Sequence, residues 1–293
     1  MLWDLAPRLK QSRPSDPALD YCLWPYEPPQ PPGPSALRSS ALLFHSFAVA
    51  GVSDKMLAVC DAIQDRFGLF NTVWGIKHVG GTLSWEFYFY DYHRAERRHG
   101  IADFLDATKN YLHCSVPPDD AKPYFMFSVE FDDRHARGEK TIDQVDIYLG
   151  NPGSSVSSGI CYGLSADACE MRNFYFFFDA NEHHDDIRGK VAASIHLPFR
   201  QVVMEQIIWP EMEGVQTIVV ANKRHNDGLY FSRISADQLL HFMDRLRFPT
   251  PLCTFLKENR DAFAHHLFDV GYDYLPDENG EIRYLKGGYY GLL

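Results

Sequence analysis

The sequence predicts an α+β fold in which five β-hairpins close into a ten-stranded antiparallel barrel surrounded by α-helices. Pairs of strand-like runs with alternating side chains recur five times, and helical runs separate most of these pairs. One hairpin with its helices cannot bury both of its faces alone, so repeated units should assemble around a shared axis. Closure would also remove the unpaired edges of the sheet. An open antiparallel sheet with helices on one side is the alternative that remains.

The chain has 293 residues, which suits one large domain or two small ones. Its segment 24–35, WPYEPPQPPGPS, is dense in proline and should form an extended arm lying on the domain. We therefore predict an N-terminal arm over residues 1–36 and a barrel domain over residues 37–293.

The first part of the barrel domain predicts two helices, a hairpin and a third helix. Residues 37–52 are apolar enough for a buried helix, with a strand as the alternative. Apolar side chains at three- and four-residue spacing predict a helix over residues 54–70, which Ser53 could cap. The runs VWGIKHVG and TLSWEFYFYD then meet at a Gly-Gly joint suited to a tight hairpin. Residues 100–112 predict the third helix.

The same pattern recurs four times along the rest of the chain. The paired strand-like runs are 124–133 with 144–151, 158–166 with 171–180, the two halves of 215–235 around an Asn-Asp-Gly turn, and a terminal pair that turns at Pro276 to Gly280. The helical runs between them are DIRGKVAASIHL, FRQVVMEQIIW, ADQLLHFMDRLRF and PLCTFLKENRDAFA.

The composition narrows the classes of function. A net charge of −11 argues against non-specific binding of nucleic acid, which needs a basic face, and weakly against an anionic membrane surface. No apolar run reaches the length of a membrane span, and the first residues lack the apolar region of a signal peptide. The six cysteines form no C-x-x-C pair, which predicts reduced thiols and a cytoplasmic location.

The run TLSWEFYFYD places a carboxylate and two phenols on one face of a strand. Large apolar side chains alternate in this run with Ser84, Glu86, Tyr88 and Tyr90. The other predicted strands also have one apolar face and one less apolar face. The less apolar faces, taken as the inner ones, carry Met126, Ser128, Glu130, Asp132, Asp146, Tyr148, Asn173, Tyr175, Phe177, Tyr230, Ser232, Asp269 and Asp273. In a closed barrel these side chains would line a chamber for a small molecule; in an open sheet they would face water.

The candidate site combines carboxylates, tyrosines and a few basic residues. Glu86, Glu130 and Asp146 could act as acids or bases, because burial among aromatic rings raises the pKa of a carboxyl group. An anionic ligand would need several basic side chains to converge, although a solvated charge is the ordinary interpretation near a turn. The basic candidates on or beside strands are Lys77, Arg172, Lys223, Arg233 and Lys286. Paired histidines in NEHHDD and AHHLFD lack a spaced second ligand cluster, so we predict no metal centre.

Three segments resemble the ABBA-type aromatic prenyltransferases, whose repeated helices and hairpins close into a ten-stranded barrel. VVANKRHNDGLYFSRISADQLLHFMDRL is similar to their penultimate hairpin and helix, and GEIRYLKGGYYG to their terminal strand. SWEFYFYD resembles an early inward-facing strand of the family, which includes soluble bacterial enzymes and cyanobactin peptide prenyltransferases. Two features depart from the family pattern: the inner faces are acidic, and the link NPGSSVSS is too short for helices.

The resemblance implies transfer of a prenyl group from an allylic diphosphate to a small aromatic or peptide acceptor. It implies that Lys77, Lys223, Arg233 and Lys286 hold phosphate, while Glu86 acts as the base for the acceptor. Tyr88, Tyr175 and Tyr290 would shield the carbocation, and the remaining substrate-binding candidates are Tyr90, Tyr148, Arg172 and Tyr230. No cofactor is required, although Mg²⁺ could bridge carboxylates to phosphates.

Two other functions fit the same predicted barrel. Glu86, Glu130 and Asp146 could perform acid–base chemistry on a small substrate without a diphosphate, as in a cyclase, isomerase or lyase. Alternatively, the chain could be a non-catalytic protein that encloses a ligand. The balance of basic and acidic side chains in the lumen distinguishes prenyl transfer from acid–base chemistry.

Overall fold

A computed structural model describes residues 4–90, 98–151, 157–197 and 203–293. Over these residues the chain forms a closed barrel of ten antiparallel strands with helices outside it, which confirms the predicted fold class. The strands are β1 Thr72–Val79, β2 Thr82–Tyr90, β3 Met126–Phe131, β4 Val145–Asn151, β5 Ser157–Leu164, β6 Cys169–Asp179, β7 Thr217–Lys223, β8 Asp227–Ile234, β9 Phe268–Pro276 and β10 Ile282–Leu292. Each strand pairs with its neighbours in sequence, and β1 pairs with β10 to close the barrel.

The helices form a layer around the sheet. They are α1 Ser40–Ala50, α2 Asp54–Phe67, α3 Ile101–Thr108, α4 Asp133–Ala136, α5 His184–Ala192, α6 Met204–Ile207, α7 Ala236–Arg245, α8 Thr250–Glu258 and α9 Arg260–Phe263, with short 3₁₀ helices at Ala6–Arg8 and Pro210–Met212. The segment for which a strand was the alternative is therefore the helix α1. Among the described parts of the chain, none of the helices is both long and apolar enough to cross a membrane.

The apolar core lies between the outer faces of the strands and the helices. Trp85 and Phe87 of β2 point outward and are buried, as their alternation with polar residues predicted. Trp85 donates a hydrogen bond of 2.8 Å to Ser46 of α1, and Phe87 stacks on Phe131 of β3 with ring centroids 4.8 Å apart. Complete burial of each such aromatic side chain stabilises the fold by about 1.5–3 kcal/mol.

The start of α2 differs from the prediction in one detail. Ser53 occupies the N-cap position, but its hydroxyl makes no capping hydrogen bond to the helix. Instead, the Ser53 hydroxyl and backbone N–H both donate to the carboxylate of Asp133, at 2.5 and 2.8 Å. Donation to a charged carboxylate makes a strong hydrogen bond, so the hydroxyl turns towards α4 and does not accept from the N–H groups of α2.

The predicted Asn-Asp-Gly turn is wrong in its position, because Asp227 and Gly228 belong to β8. Asp227 pairs with Asn222 of β7, accepts a hydrogen bond of 3.0 Å from its side-chain amide, and accepts another from the Ser194 hydroxyl. These donors hold the buried carboxylate inside the ladder, so the turn falls at residues 224–226. The last hairpin turns where predicted, directly after Pro276.

The barrel has two distinct ends. Its five hairpin turns lie at one end, here called the hairpin end, because paired strands alternate in direction around the sheet. The opposite end, here called the arm end, is closed by the N-terminal segment Leu19–Trp24. The backbone N–H of Tyr21 donates to the Asp269 carboxylate at 2.6 Å, which fixes this segment beside the start of β9.

Glycines on the inner face make room for tyrosine rings. Gly75 of β1 lies beneath Tyr290, where an added methyl carbon would sit 2.8 Å from a ring carbon. Gly271 of β9 pairs with Tyr230 of β8, and the Tyr230 ring occupies the space of a Gly271 side chain. The lumen is therefore a packed interior in which small residues face large ones.

We expect Gly271→Ala to destabilise the protein by about 2 kcal/mol, since the new methyl group overlaps the Tyr230 ring. Urea unfolding of the parent and the variant measures this change. Gly189→Ala is the matched control, because no atom lies within 4 Å of a methyl group built at that position in α5. It should be neutral or slightly stabilising. Equal stability of the two variants would contradict this packing.

Candidate functional site

Lys77 stands at the centre of an ion-pair network at the hairpin end of the lumen. Its ammonium group contacts the carboxylate of Glu86 and lies 2.8 Å from that of Glu130. These carboxylates face each other on β2 and β3, and Ser84 donates to Glu130 at 2.8 Å. Burial alone would lower the pKa of Lys77, but the two negative charges outweigh it and raise that pKa. The network therefore keeps all three groups charged.

Glu86 is buried and fully occupied by donors. Besides Lys77, it accepts a hydrogen bond of 2.7 Å from the Tyr88 hydroxyl and another from the Ser128 hydroxyl. Burial raises the pKa of Glu86, but the Lys77 charge and these donors lower it overall. Glu86 is thus a stable carboxylate that aligns the groups around it, and it is a weak base.

A second ion pair holds Lys223 of β7. Its ammonium group lies 2.6 Å from the Asp273 carboxylate of β9 and 3.2 Å from the Tyr230 hydroxyl. Burial lowers the pKa of Lys223, but Tyr230 and Asp273 raise it more, so the side chain stays protonated. These contacts place Lys223 in the lumen beside Tyr230.

Lys286 of β10 differs from the other two lysines. It pairs in the sheet with Asp273, next to a bulge after Tyr284. Within the described parts of the chain, its ammonium group makes neither an ion pair nor a side-chain hydrogen bond. The positive charge of Lys77, burial and the charge of Lys223 together lower its pKa to about 8. Lys77, Lys223 and Lys286, here called the lysine layer, thus converge from three strands.

Asp146 of β4 lies beside this network, opposite Ser128 of β3. Burial and the nearby Glu86 charge raise its pKa to about 6. Gln144 donates to Asp146 at 2.6 Å and also accepts from Arg172, whose exposed side chain lies at the rim of the barrel. A cavity of about 240 Å³ between the β3–β4 hairpin and the lumen reaches Asp146, Glu86 and Glu130.

Six tyrosines line the other half of the lumen and form the tyrosine chamber: Tyr88, Tyr90, Tyr148, Tyr175, Tyr230 and Tyr290. Their rings follow one another around the wall, with centroid distances of 5.8 Å for Tyr290–Tyr88, 6.4 Å for Tyr88–Tyr148, 6.2 Å for Tyr148–Tyr175 and 6.1 Å for Tyr175–Tyr230. These distances are typical of interacting aromatic rings. The chamber retains a cavity of about 90 Å³.

Tyr21 of the N-terminal arm completes the tyrosine chamber, and sequence reasoning missed it. Its ring lies 4.6 Å from that of Tyr290, 5.2 Å from that of Tyr88 and 5.9 Å from that of Tyr90. Tyr21 precedes the first helix by many residues and belongs to no strand pattern. The aromatic and apolar sequence DYCLW was its only signal, because alternation identifies inward side chains only within strands.

Arg233 lies apart from the lysine layer, at the arm end. Its backbone has a φ of 65°, which interrupts the pairing of β8 with β9. Its guanidinium pairs with the Asp20 carboxylate at 3.0 Å, away from the lysine layer, and also donates to Gln216. Asp132, expected on an inner face, instead follows β3 and accepts from the N–H groups of Arg134 and His135 to cap α4.

The structure thus brings most of the predicted residues together, but at two levels. Lys77, Lys223, Lys286, Glu86 and Glu130 share the hairpin half of the lumen, while the tyrosine chamber fills the arm half. Within the described residues, no cluster of three or more His, Cys, Asp or Glu side chains is arranged to hold a metal ion. No protein-family model matches the chain, and no curated protein matches it at a significant level.

This arrangement is chemically asymmetric. Ammonium groups at one end can bind an anionic head group, and Lys286 can do so without giving up a carboxylate. Phenol rings at the other end can enclose an apolar or cationic group. A carboxyl group with a pKa of about 6, such as Asp146, can exchange a proton near neutral pH.

Proposed function

We propose that the protein is a prenyltransferase of the ABBA type, which transfers an allylic prenyl group from a diphosphate to an aromatic or peptide acceptor inside the barrel. The observation that carries the proposal is the convergence of three lysines from β1, β7 and β10 on one end of a tyrosine-lined lumen. An allylic diphosphate has the matching asymmetry of an anionic head and an apolar tail. The six cysteines are free thiols, which supports a cytoplasmic location.

In this proposal the lysine layer binds the diphosphate, with Lys286 making the first contact. The bond between the allylic carbon and the diphosphate oxygen breaks, and the electron pair leaves with the diphosphate. The faces of Tyr88, Tyr175 and Tyr290 stabilise the allylic cation until the acceptor attacks it. Mg²⁺ could accompany the diphosphate.

The acceptor loses one proton when its new bond has formed. Asp146, with its pKa raised to about 6, is the better base for this proton, since the lowered pKa of Glu86 makes it a weak one. Glu86 would orient the hydroxyl groups of Tyr88 and Ser128. Arg233 has no part in phosphate binding here, because it is paired with Asp20 at the arm end.

A thermal-shift screen with dimethylallyl and geranyl diphosphate, with and without Mg²⁺, tests the proposal. We expect either diphosphate to raise the midpoint of unfolding more than pyrophosphate or the parent alcohol does. Lys286→Met should weaken this binding about 10- to 100-fold, because it removes a charged hydrogen-bond donor. The exposed Lys257, on α8, supplies the matched control variant Lys257→Met, which should bind as the parent protein does. Failure of both diphosphates to stabilise the protein would reject prenyl transfer.

Acid–base chemistry on a small substrate without a diphosphate is the second candidate. It is favoured by the pairing of Lys77 and Lys223 with Glu86, Glu130 and Asp273, because these three carboxylates equal in number the three positive charges of the lysine layer. The cavity of about 240 Å³ would bring such a substrate to Glu86, Glu130 and Asp146. This candidate predicts no response to allylic diphosphates in the same screen.

A further inference from the structure

The N-terminal arm inserts its own aromatic side chain into the proposed site. Residues Leu19 and Pro25 pair across a tight loop, and Tyr21 projects from it into the tyrosine chamber. The remaining cavity of about 90 Å³ is bounded by both this loop and the barrel wall, including Asp20, Cys22 and Trp24. Tyr21 therefore fills space inside the lumen that an aromatic ligand could occupy.

The loop is held by hydrogen bonds from its backbone N–H groups to two carboxylates, Asp20 and Asp269. The Asp20 side chain accepts hydrogen bonds of 3.0 Å from the backbone N–H groups of both Cys22 and Trp24, and it pairs with Arg233. The Tyr21 N–H donates to Asp269. These are contacts that the backbone of any peptide turn with an acidic residue before a tyrosine could reproduce.

The docked loop carries backbone strain. Leu23, at its tip, has a φ of 59°, and Arg233, which anchors the loop, has a φ of 65°. Left-handed backbone angles cost of the order of 1–3 kcal/mol for residues other than glycine. The docked position is therefore opposed by strain at Leu23, which the loop would lose on leaving the barrel.

The loop also blocks the arm end. Leu19, Tyr21 and Leu23 pack against the apolar cluster of the tyrosine chamber, so the acceptor cannot enter from this end while the loop is docked. We propose that the Leu19–Trp24 loop is a displaceable plug, in which Tyr21 holds the place of the tyrosine side chain of a peptide turn that binds there. That this peptide is an acceptor rests on the proposed function, whereas its binding does not.

Binding of a synthetic peptide tests the plug. The probe is the acetylated and amidated sequence of the loop, Leu-Asp-Tyr-Ser-Leu-Trp, with serine replacing the cysteine, and its dissociation constant is measured by calorimetry. We expect Tyr21→Ala to bind this peptide at least tenfold more tightly than the parent protein, because the competing plug no longer fills the site. The same peptide with alanine in place of tyrosine should not bind. Tyr111→Ala, at an exposed tyrosine after α3, should behave as the parent does.

Equal or weaker binding by Tyr21→Ala would overturn the proposal, since it would make Tyr21 a fixed part of the wall. Near-UV circular dichroism shows whether Tyr21→Ala is folded. If it is not folded, the variant Asp20→Asn provides the test, because it weakens the anchor of the loop without removing a ring from the chamber and should also tighten peptide binding. Tyr21→Phe keeps the ring and should bind as the parent does; tight binding by this variant would also overturn the proposal.

The experiments can reject the plug and the proposed function independently of each other. Tight peptide binding by Tyr21→Ala without a response to any diphosphate supports the plug and rejects prenyl transfer. A response to diphosphates without tighter peptide binding rejects the plug and leaves prenyl transfer in place.

Discussion

Replacing Lys77 by methionine should lower the free energy of unfolding at pH 7 by about 3–5 kcal/mol. Lys77 is the counter-charge of both Glu86 and Glu130, which face each other on adjacent strands. Without it, the buried Glu86 carboxylate would face the half-exposed Glu130 carboxylate with no cation in contact. The loss is larger than that of a surface ion pair, because the Glu86 carboxylate that remains is buried, although the Glu130 side chain is about half exposed.

The effect of Lys77→Met should shrink in acid. The pKa of Glu130 falls to about 2 in the folded protein, since the Lys77 charge outweighs the effect of burial, and that of Glu86 also falls. Lowered folded-state pKa values add stability above the ordinary pKa of 4.5, and that stability is lost as the pH falls towards 2. The parent and the variant should therefore converge on acidification from pH 5 to pH 2.

Urea unfolding at several pH values measures this prediction. Lys55→Met, at an exposed lysine on α2, is the matched control and should change stability by less than about 0.5 kcal/mol. Adding Glu86→Gln to Lys77→Met should recover part of the loss, since it removes one of the two uncompensated charges. A pH-independent loss, or no recovery in the double variant, would contradict the ion-pair network.

Replacing Lys286 by methionine should have the opposite effect: it should raise the free energy of unfolding at pH 7 by roughly 3 kcal/mol. The charge of Lys77, burial and the charge of Lys223 lower the pKa of Lys286 from 10.5 to about 8. A protonated Lys286 is thus disfavoured in the folded state. A methionine has similar length and no charge, so it removes the penalty and keeps the packing.

The pH dependence of Lys286→Met follows from the same shift. Between pH 8 and 10.5 the unfolded chain binds more protons at this position than the folded chain, so the stability of the parent rises with pH through this window. The gain from Lys286→Met should therefore be largest below pH 8 and nearly vanish by pH 10.5. Unfolding curves at pH 7 and pH 10 check this, and a gain equal at both values would show that charge repulsion is not its cause.

The barrel could be predicted because alternation and repetition are local properties of the sequence. Glu86 and Tyr88 alternate with Trp85 and Phe87, and this pattern alone assigns the inner and outer faces of β2 once the sheet closes. The repeated hairpins then supply the closure. The expectation that Lys77, Lys223 and Lys286 lie inside the barrel came from the family resemblance and not from alternation.

The charge state of the site could not be predicted in this way. Alternation gives the face of a residue but not its partner. It could therefore not show that Lys77 and Lys223 form ion pairs with carboxylates while Lys286 does not. Alternation assigns the inner face of β8 to Tyr230 and Ser232, so only the family resemblance placed Arg233 with the phosphate ligands. It could not find Tyr21, because the placement of the arm depends on contacts with residues more than two hundred positions away.

The order of the strands determines how the barrel can assemble. Nine of its seams join strands that follow each other along the chain, and the seam between β1 and β10 joins the first strand to the last. Closure entropy grows with the length of the intervening chain, so this seam is the slow step expected in folding. Until it forms, the edges of β1 and β10 remain open to pairing with another molecule. Productive folding of this barrel therefore requires that β1 pairs with β10 faster than either strand pairs with another molecule.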